Sequence, residues 1–329
     1  MTGIDPTAPL EKPVKAPKQK GRLEQLVAQH ASATNQAANR LRNWVSFMIF
    51  AGALGRISDD DGHPYFWFKG GLTMEARFPG PVRTTRDADA IFRLTKPAVD
   101  LDGNPMLNRA GSAIIGVDVD ELIAKLDQAL ADPYHDFTFE VGEPQRVKDS
   151  LYYVSRIKIF FRNSNWGSVK FEISPPEGKA ASAEEVPALP LHFVGLDGPR
   201  NIPCLPIPYQ IAQKIHAVCQ QYEPPKENER ERDLIDLLLL SSIVDSLAET
   251  RMACLEIYEG RGLAPYPPDL PAQAWPPDLV VQPGWRVRYR PLAQQIGFEP
   301  DDVEAAAEEV RAFIAEINGA VNSESPSPV

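Results

Sequence analysis

The sequence predicts an α+β protein in two parts, a lobe built on a mixed sheet followed by a mainly α-helical lobe, and three observations carry that prediction. Short apolar runs with strand character crowd the first half: YFWF, TTRDADAIFRL, FTFEV, LYYVSRIKIFF and SVKFEIS. Beyond a proline-rich, acidic connection over 175–208, apolar residues recur at helical spacing in PYQIAQKIHAVCQQY, in ERERDLIDLLLLSSIV and from about Asp301 to Asn318. At 329 residues and 43% hydrophobic, the chain can bury one large core or two ordinary ones, because domains hold roughly 100–200 residues.

Taken in order, residues 1–20 combine prolines with spaced lysines and few large apolar groups, too little to offset their ordering entropy, so a disordered basic arm is expected. From Leu23 to about Ile57 there is no proline, and the periodicity predicts two helices with a break near Ala31 to Thr34. SDDDGHP is turn chemistry, YFWF is a buried strand ended by Gly70 and Gly71, and LTMEARF is the helix after it. VDVDELIAKLDQALADP reads as a helix ending at Pro133. These readings place a sheet lobe with its N-terminal helices at 21–200, a helical lobe at 201–320 and a disordered tail at 321–329, with an extended proline-dense connection over 264–284.

The net charge of -11 excludes a surface that attracts polyanions as a whole, so any nucleic-acid contact must come from a local basic patch. Cys204, Cys219 and Cys254 form no CxxC pair, which suits reduced thiols in a cytoplasm and speaks against a structural zinc site. The longest apolar stretch, WVSFMIFAGAL, is about half of the roughly 20 residues that cross a bilayer, and no apolar leader precedes it. The expectation is a soluble, unexported, cytoplasmic protein with no membrane partner.

Candidate chemistry begins with Asp87 and Asp89, two apart in an alternating strand, so their carboxylates share a face while Ala88 points the other way. Two carboxylates about 5 to 7 Å apart on a strand can chelate a hard dication such as Mg²⁺. A strand that merely exposes one charged face has the same pattern. Glu172 in SVKFEIS, on the face opposite Val169, Phe171 and Ile173, would complete a triad if its strand neighbours that of Asp87. Lys69, Gly70 and Gly71 lie between strand and helix, where backbone N–H groups and the positive helix end can hold phosphate, though a Gly-Gly turn with no ligand looks alike. Lys214 sits off the apolar stripe of QIAQKIHAV, and Arg230, Asp233 and Asp236 share a helix face, a pattern that surface ion pairing explains equally well. His216, two residues from Lys214, points elsewhere and reads as packing.

In sequence order, KGG, RTTRDAD, VKFEI, QIAQKIHAV and RERDLIDL resemble the motifs of the AbiEii/AbiGii nucleotidyltransferase toxins of type IV toxin–antitoxin systems and their MenT-like relatives, a likeness running from about Leu41 to Val244. The motifs fall on Lys69 to Gly71, on Arg83, Thr85, Asp87 and Asp89, on Glu172, on Lys214, His216 and Ala217, and on Arg230, Asp233, Asp236 and Leu237. Gln213, Glu172 and Arg232 depart from the family's common Glu, Asp and Lys. The resemblance implies a polymerase-β-like nucleotidyltransferase lobe, with the helical lobe completing the cleft that binds an NTP. It also implies transfer of a nucleotide, with release of pyrophosphate, to an RNA such as the tRNA 3′ end. Expected roles follow: metal ligation by Asp87, Asp89 and Glu172 for Mg²⁺ or Mn²⁺; nucleotide binding by Lys69, Gly70, Gly71, Lys214 and Arg230; and catalysis by Asp87, Asp89, Lys214 and Asp233. An antitoxin encoded by a neighbouring gene is the expected partner. Transfer to a small molecule such as an antibiotic, and a catalytically inactive relative that only binds nucleotide or a partner, are the alternatives.

Overall fold

The computed structural model describes residues 14–80, 85–100, 102–148, 150–223, 225–264 and 271–320, and these divide into two compact units. The first takes the described residues of Met1–Met106, Ile115–Pro176 and Ser182–Leu205; the second takes those of Leu107–Ile114, Glu177–Ala181 and Pro206–Val329. Of the arm expected over 1–20, residues 1–13 lie outside the described residues, whereas Val14 packs against the core of the first unit. The tail expected over 321–329 also lies outside them.

Two N-terminal helices, α1 (Lys20–Thr34) and α2 (Ala38–Leu54), are separated at Asn35, which adopts the left-handed conformation (φ 52°) and returns its N–H to Ala31 O. Asparagine tolerates this conformation better than most residues, so the break falls a little later than the sequence pattern suggests. Helix α2 is apolar nearly all round because it lies in the core: Phe50 packs edge-on against Phe171, and Ser46 Oγ accepts the Trp166 indole N–H at 3.0 Å.

Strand β1 (Phe66–Lys69) runs directly into helix α3 (Gly70–Arg77), followed by β2 (Asp87–Phe92) and a two-stranded ribbon, β3 (Thr95–Pro97) with β4 (Ile115–Val117). Then come α4 (Val119–Leu130), β5 (Phe137–Val141), β6 (Gln145–Arg146), β7 (Tyr153–Phe161), β8 (Ser164–Ser174), β9 (Glu184–Pro187) and β10 (Asn201–Cys204). The main sheet has the order β5-β7-β8-β2-β1-β10-β9, with β6 added on β7. It is mixed: β2 runs antiparallel to β1 and parallel to β8. Phe66, Phe68, Ala88, Ala90, Phe92, Val169, Phe171 and Ile173 form one buried face, each fully buried phenylalanine contributing about 1.5–3 kcal/mol. Charged residues alternate onto the other face. The proline-rich connection over 175–208 is more than a link between the parts, since it contributes β9 and β10, and β10 pairs in parallel with β1 at Phe68 and Cys204. Four-residue strands containing Pro187 and Pro203 carry too little periodicity to stand out from a loop.

The second unit is helical: α5 (Ile207–Val218), α6 (Arg232–Ser241), α7 (Leu247–Leu263), α8 (Trp285–Ile296) and α9 (Val303–Gly319). Helices α5, α6 and α9 answer the periodic segments of the sequence, while α7 and α8 escape pattern reading. The buried stripe of α7 is built from Thr250, Ala253, Cys254, Ile257 and Tyr258, too mixed in polarity to register as apolar, and α8 contains Pro291. The start of α7 does carry a local signal: Ser246 accepts the Glu249 N–H, the first half of an S-x-x-E capping pattern. Trp285 anchors α8, donating its indole N–H to Asn228 O. All three cysteines are free and buried, and burial pushes the Cys219 and Cys254 thiols up to about 12. Among the described residues no helix is long and apolar enough to cross a membrane.

Candidate active site

On β2, Ala88 and Ala90 fill the core, so Asp87 and Asp89 project together from the opposite face, both half-buried. Strand pairing sets their neighbours. Asp89 stands opposite Lys69 of β1 on one side and opposite Glu172 of β8 on the other, and Asp87 stands opposite Lys170. The sheet therefore gathers Lys69, Asp87, Asp89 and Glu172 from three strands.

Lys170 is the residue that sequence reading missed here. Its ammonium group makes a short ion pair with Glu172 and lies 3.5 Å from Asp87 Oδ2. Those contacts, the Glu172 hydrogen bond foremost, raise its pKa above the ordinary lysine value. Its position beside Glu172 on the charged face of SVKFEIS was the available signal.

The Lys69-Gly70-Gly71 turn lies beside this carboxylate row. Lys69 Nζ donates to Ser174 Oγ at 2.7 Å and stands 5.6 Å from the centre of the Tyr152 ring. Gly70 has φ +66°, and a β-carbon at that position would collide with Asp89 Oδ2. Glycine is required twice over, by the left-handed backbone and by the approach of the carboxylate. Helix α3 begins at Gly70 with no side-chain cap on Lys69, and the N-terminal end of a helix is a place where an anion can be held. Thr73 turns its hydroxyl back to Gly70 O at 2.9 Å. Arg83, of the motif that carries Asp87 and Asp89, lies outside the described residues.

In the second unit, Lys214 of α5 donates to Asp233 Oδ1 at 2.9 Å and to Asp236 Oδ2 at 2.6 Å, both on α6. Arg230 approaches Asp233 Oδ2 at 3.7 Å from an exposed position. His216 is separate from this cluster: it packs edge-on against Tyr258 at 4.9 Å and lies beside the Gln273 amide. Burial pushes its pKa down to about 3.

Asp87 and Asp89 are hard oxygen donors fixed side by side on a sheet strand, and this donor set fits Mg²⁺ or Mn²⁺. Among the described residues, the group of three potential ligands whose donor atoms lie within 4.8 Å of one another is a different one: Asp59, Asp61 and His63 in the SDDDGHP turn. In that turn the Asp59 carboxylate already has partners. Asp59 Oδ1 accepts the Asp61 and His63 backbone N–H groups, and its Oδ2 pairs with Arg93 at 2.9 Å.

Comparison with known proteins places the architecture. The family model described as the nucleotidyl transferase AbiEii toxin of type IV toxin–antitoxin systems matches residues 52–315. No curated protein matches the sequence. Among solved structures, the chain is similar to MenT4, the nucleotidyltransferase toxin Rv2826c from Mycobacterium tuberculosis H37Rv, with a TM-score of 0.56 and 16% identity over 92% of this chain and 91% of that one. At such low identity the likeness is one of fold, and the fold is that of a nucleotidyltransferase. The match across 52–315 assigns it further: the chain belongs to the AbiEii nucleotidyltransferase toxin family.

Proposed function

We propose that this chain is a divalent-metal-dependent toxin that transfers a nucleoside monophosphate from an NTP to an RNA acceptor, the tRNA 3′ end, and so blocks translation in the cytoplasm. The observation that carries the reading is the Asp87 and Asp89 pair on β2, set against the glycine turn that opens α3. The acceptor hydroxyl attacks the α-phosphorus, its proton is lost, and pyrophosphate leaves.

In this reading Asp87 and Asp89 hold Mg²⁺ or Mn²⁺, with Glu172 as a third ligand. A cation held there would lower the pKa of the attacking hydroxyl and offset the charge of the triphosphate. Gly70 and Gly71 present backbone N–H groups to phosphate oxygens, and Lys69, held by Ser174, adds positive charge beside them. Lys214 and Arg230 are further nucleotide-binding residues in this reading. Asp233 serves by fixing the Lys214 ammonium, a role supported by their 2.9 Å contact.

Incubation with α-radiolabelled NTPs, total RNA and Mg²⁺ tests the proposal. Label is expected at RNA 3′ ends with the wild-type protein and not with Asp87→Ala. Label on a small molecule, with none on RNA, would overturn the RNA acceptor, an outcome with which the net charge of -11 is compatible. Expressed without the antitoxin encoded by its neighbouring gene, the wild-type chain is expected to arrest growth and Asp87→Ala is not.

A further inference from the structure

We propose that Glu75 is a positioning residue: it ties helix α3 to the start of β2 and, through Thr85, sets where Asp87 stands. The inference rests on the reading of Asp87 as a catalytic carboxylate.

Carboxylates are almost never fully buried unless paired, yet Glu75 is 4% exposed within a short helix. Its two oxygens have different tasks. Oε1 accepts the backbone N–H of Thr85 at 2.6 Å, and Oε2 lies 3.8 Å from Arg40 Nε on α2. Arg40 supplies the countercharge from a nearly buried position and also donates to Gly80 O at 3.0 Å. Thr85, itself 5% exposed, then passes the constraint on, donating its hydroxyl to Asp87 O at 3.0 Å.

The same helix meets the same strand at its other end, where Gly70 abuts the Asp89 carboxylate. Helix α3 therefore reaches both candidate metal ligands, directly at the side chain of Asp89 and through Thr85 at the backbone of Asp87. That arrangement makes α3 a strut between the glycine turn and the carboxylates. A charged hydrogen bond to a backbone N–H holds one position more stiffly than apolar packing does, because its distance and angle are both constrained. Hydrophobic residues in place of Glu75 and Arg40 would fill the space without holding the Thr85 amide.

Thr85→Val removes the hydroxyl while keeping shape and charge. It is expected to lower kcat for nucleotide transfer to total RNA about 10- to 100-fold, with KM for NTP and Tm little changed, because misplacing a catalytic group mainly affects turnover. Thr85→Ser, which keeps the hydroxyl, is expected to recover most of the lost kcat. Glu75→Gln, which retains an acceptor for the Thr85 N–H, is expected to fall between them. Wild-type kcat in Thr85→Val would overturn the inference, and so would an equal loss in Thr85→Ser. Asp87→Asn, measured alongside, separates the two levels. If Asp87→Asn transfers at the wild-type rate, the catalytic assignment of Asp87 fails; if it is inactive while Thr85→Val is unimpaired, only the positioning role of Glu75 fails.

Discussion

The two charged clusters differ in their exposure. On the sheet of the first unit, Asp87 and Lys170 leave about two-fifths of their side chains in solvent (40% and 39%), whereas in the second unit Lys214 is 11% exposed, Asp233 4% and Asp236 0%. Half-exposed charges keep much of their hydration and can exchange partners with an incoming ligand. Buried ones have given up that hydration and depend on one another. The first cluster is therefore arranged to meet something from solution, while the second is also part of what holds its own unit together.

The contrast can be broken by mutation, most severely at Asp87. Asp87→Asn is expected to reduce nucleotide transfer on the order of 10⁴-fold, about 5.5 kcal/mol of transition-state stabilisation, with Tm unchanged. Radiolabel transfer and thermal melting measured on one preparation check both halves. Lys214→Met is the converse case, leaving Asp233 and Asp236 buried without their cation. A loss of about 3–5 kcal/mol of stability is expected from denaturant titration. If Lys214→Met melted like the wild type, the cluster would belong with the exposed kind.

Gly70→Ala sharpens the comparison within the first unit. Its β-carbon meets Asp89 and its backbone is left-handed, so about 1–3 kcal/mol of strain is expected, together with weaker NTP binding in calorimetry. Stability retained with affinity lost would mean that Asp89 moves aside and the turn alone deforms.

Close to neutral pH, the smallest effect lies in the pH dependence of the second unit. His216 has a folded pKa of about 3 against an unfolded value of 6.5, so between these values the unfolded chain binds the extra proton. Its contribution is present in full above pH 6.5 and declines as pH falls toward 3, by up to about 1.4 kcal/mol per pH unit. His216→Phe is expected to flatten this part of the stability curve, measured by urea unfolding at several pH values.

Much of the site is legible in the sequence because it follows from local geometry. Alternation alone puts Asp87 and Asp89 on one face, and it puts Lys170 and Glu172 on another such face. It does not say which strand lies beside which, so the pairing of Lys170 with Asp87 follows only from β8 running parallel to β2 with the two residues opposite one another. Glu75 shows the same limit: inside LTMEARF it reads as the polar side of a helix, and only the return of the chain at Thr85 explains its burial. The helices α7 and α8 were missed for a local reason, a mixed stripe in one and Pro291 in the other.

Neighbours along the chain suffice to specify the strands that carry the carboxylates, the glycine turn that follows YFWF, the change to helix after the proline-rich connection, and the motif order that marks the family. Tertiary structure alone decided strand order and register, and with them the partners of each charge. Those choices depend on burying apolar faces far apart in sequence, as when Phe50 of α2 packs on Phe171 of β8, and no local window contains both sides of such a contact.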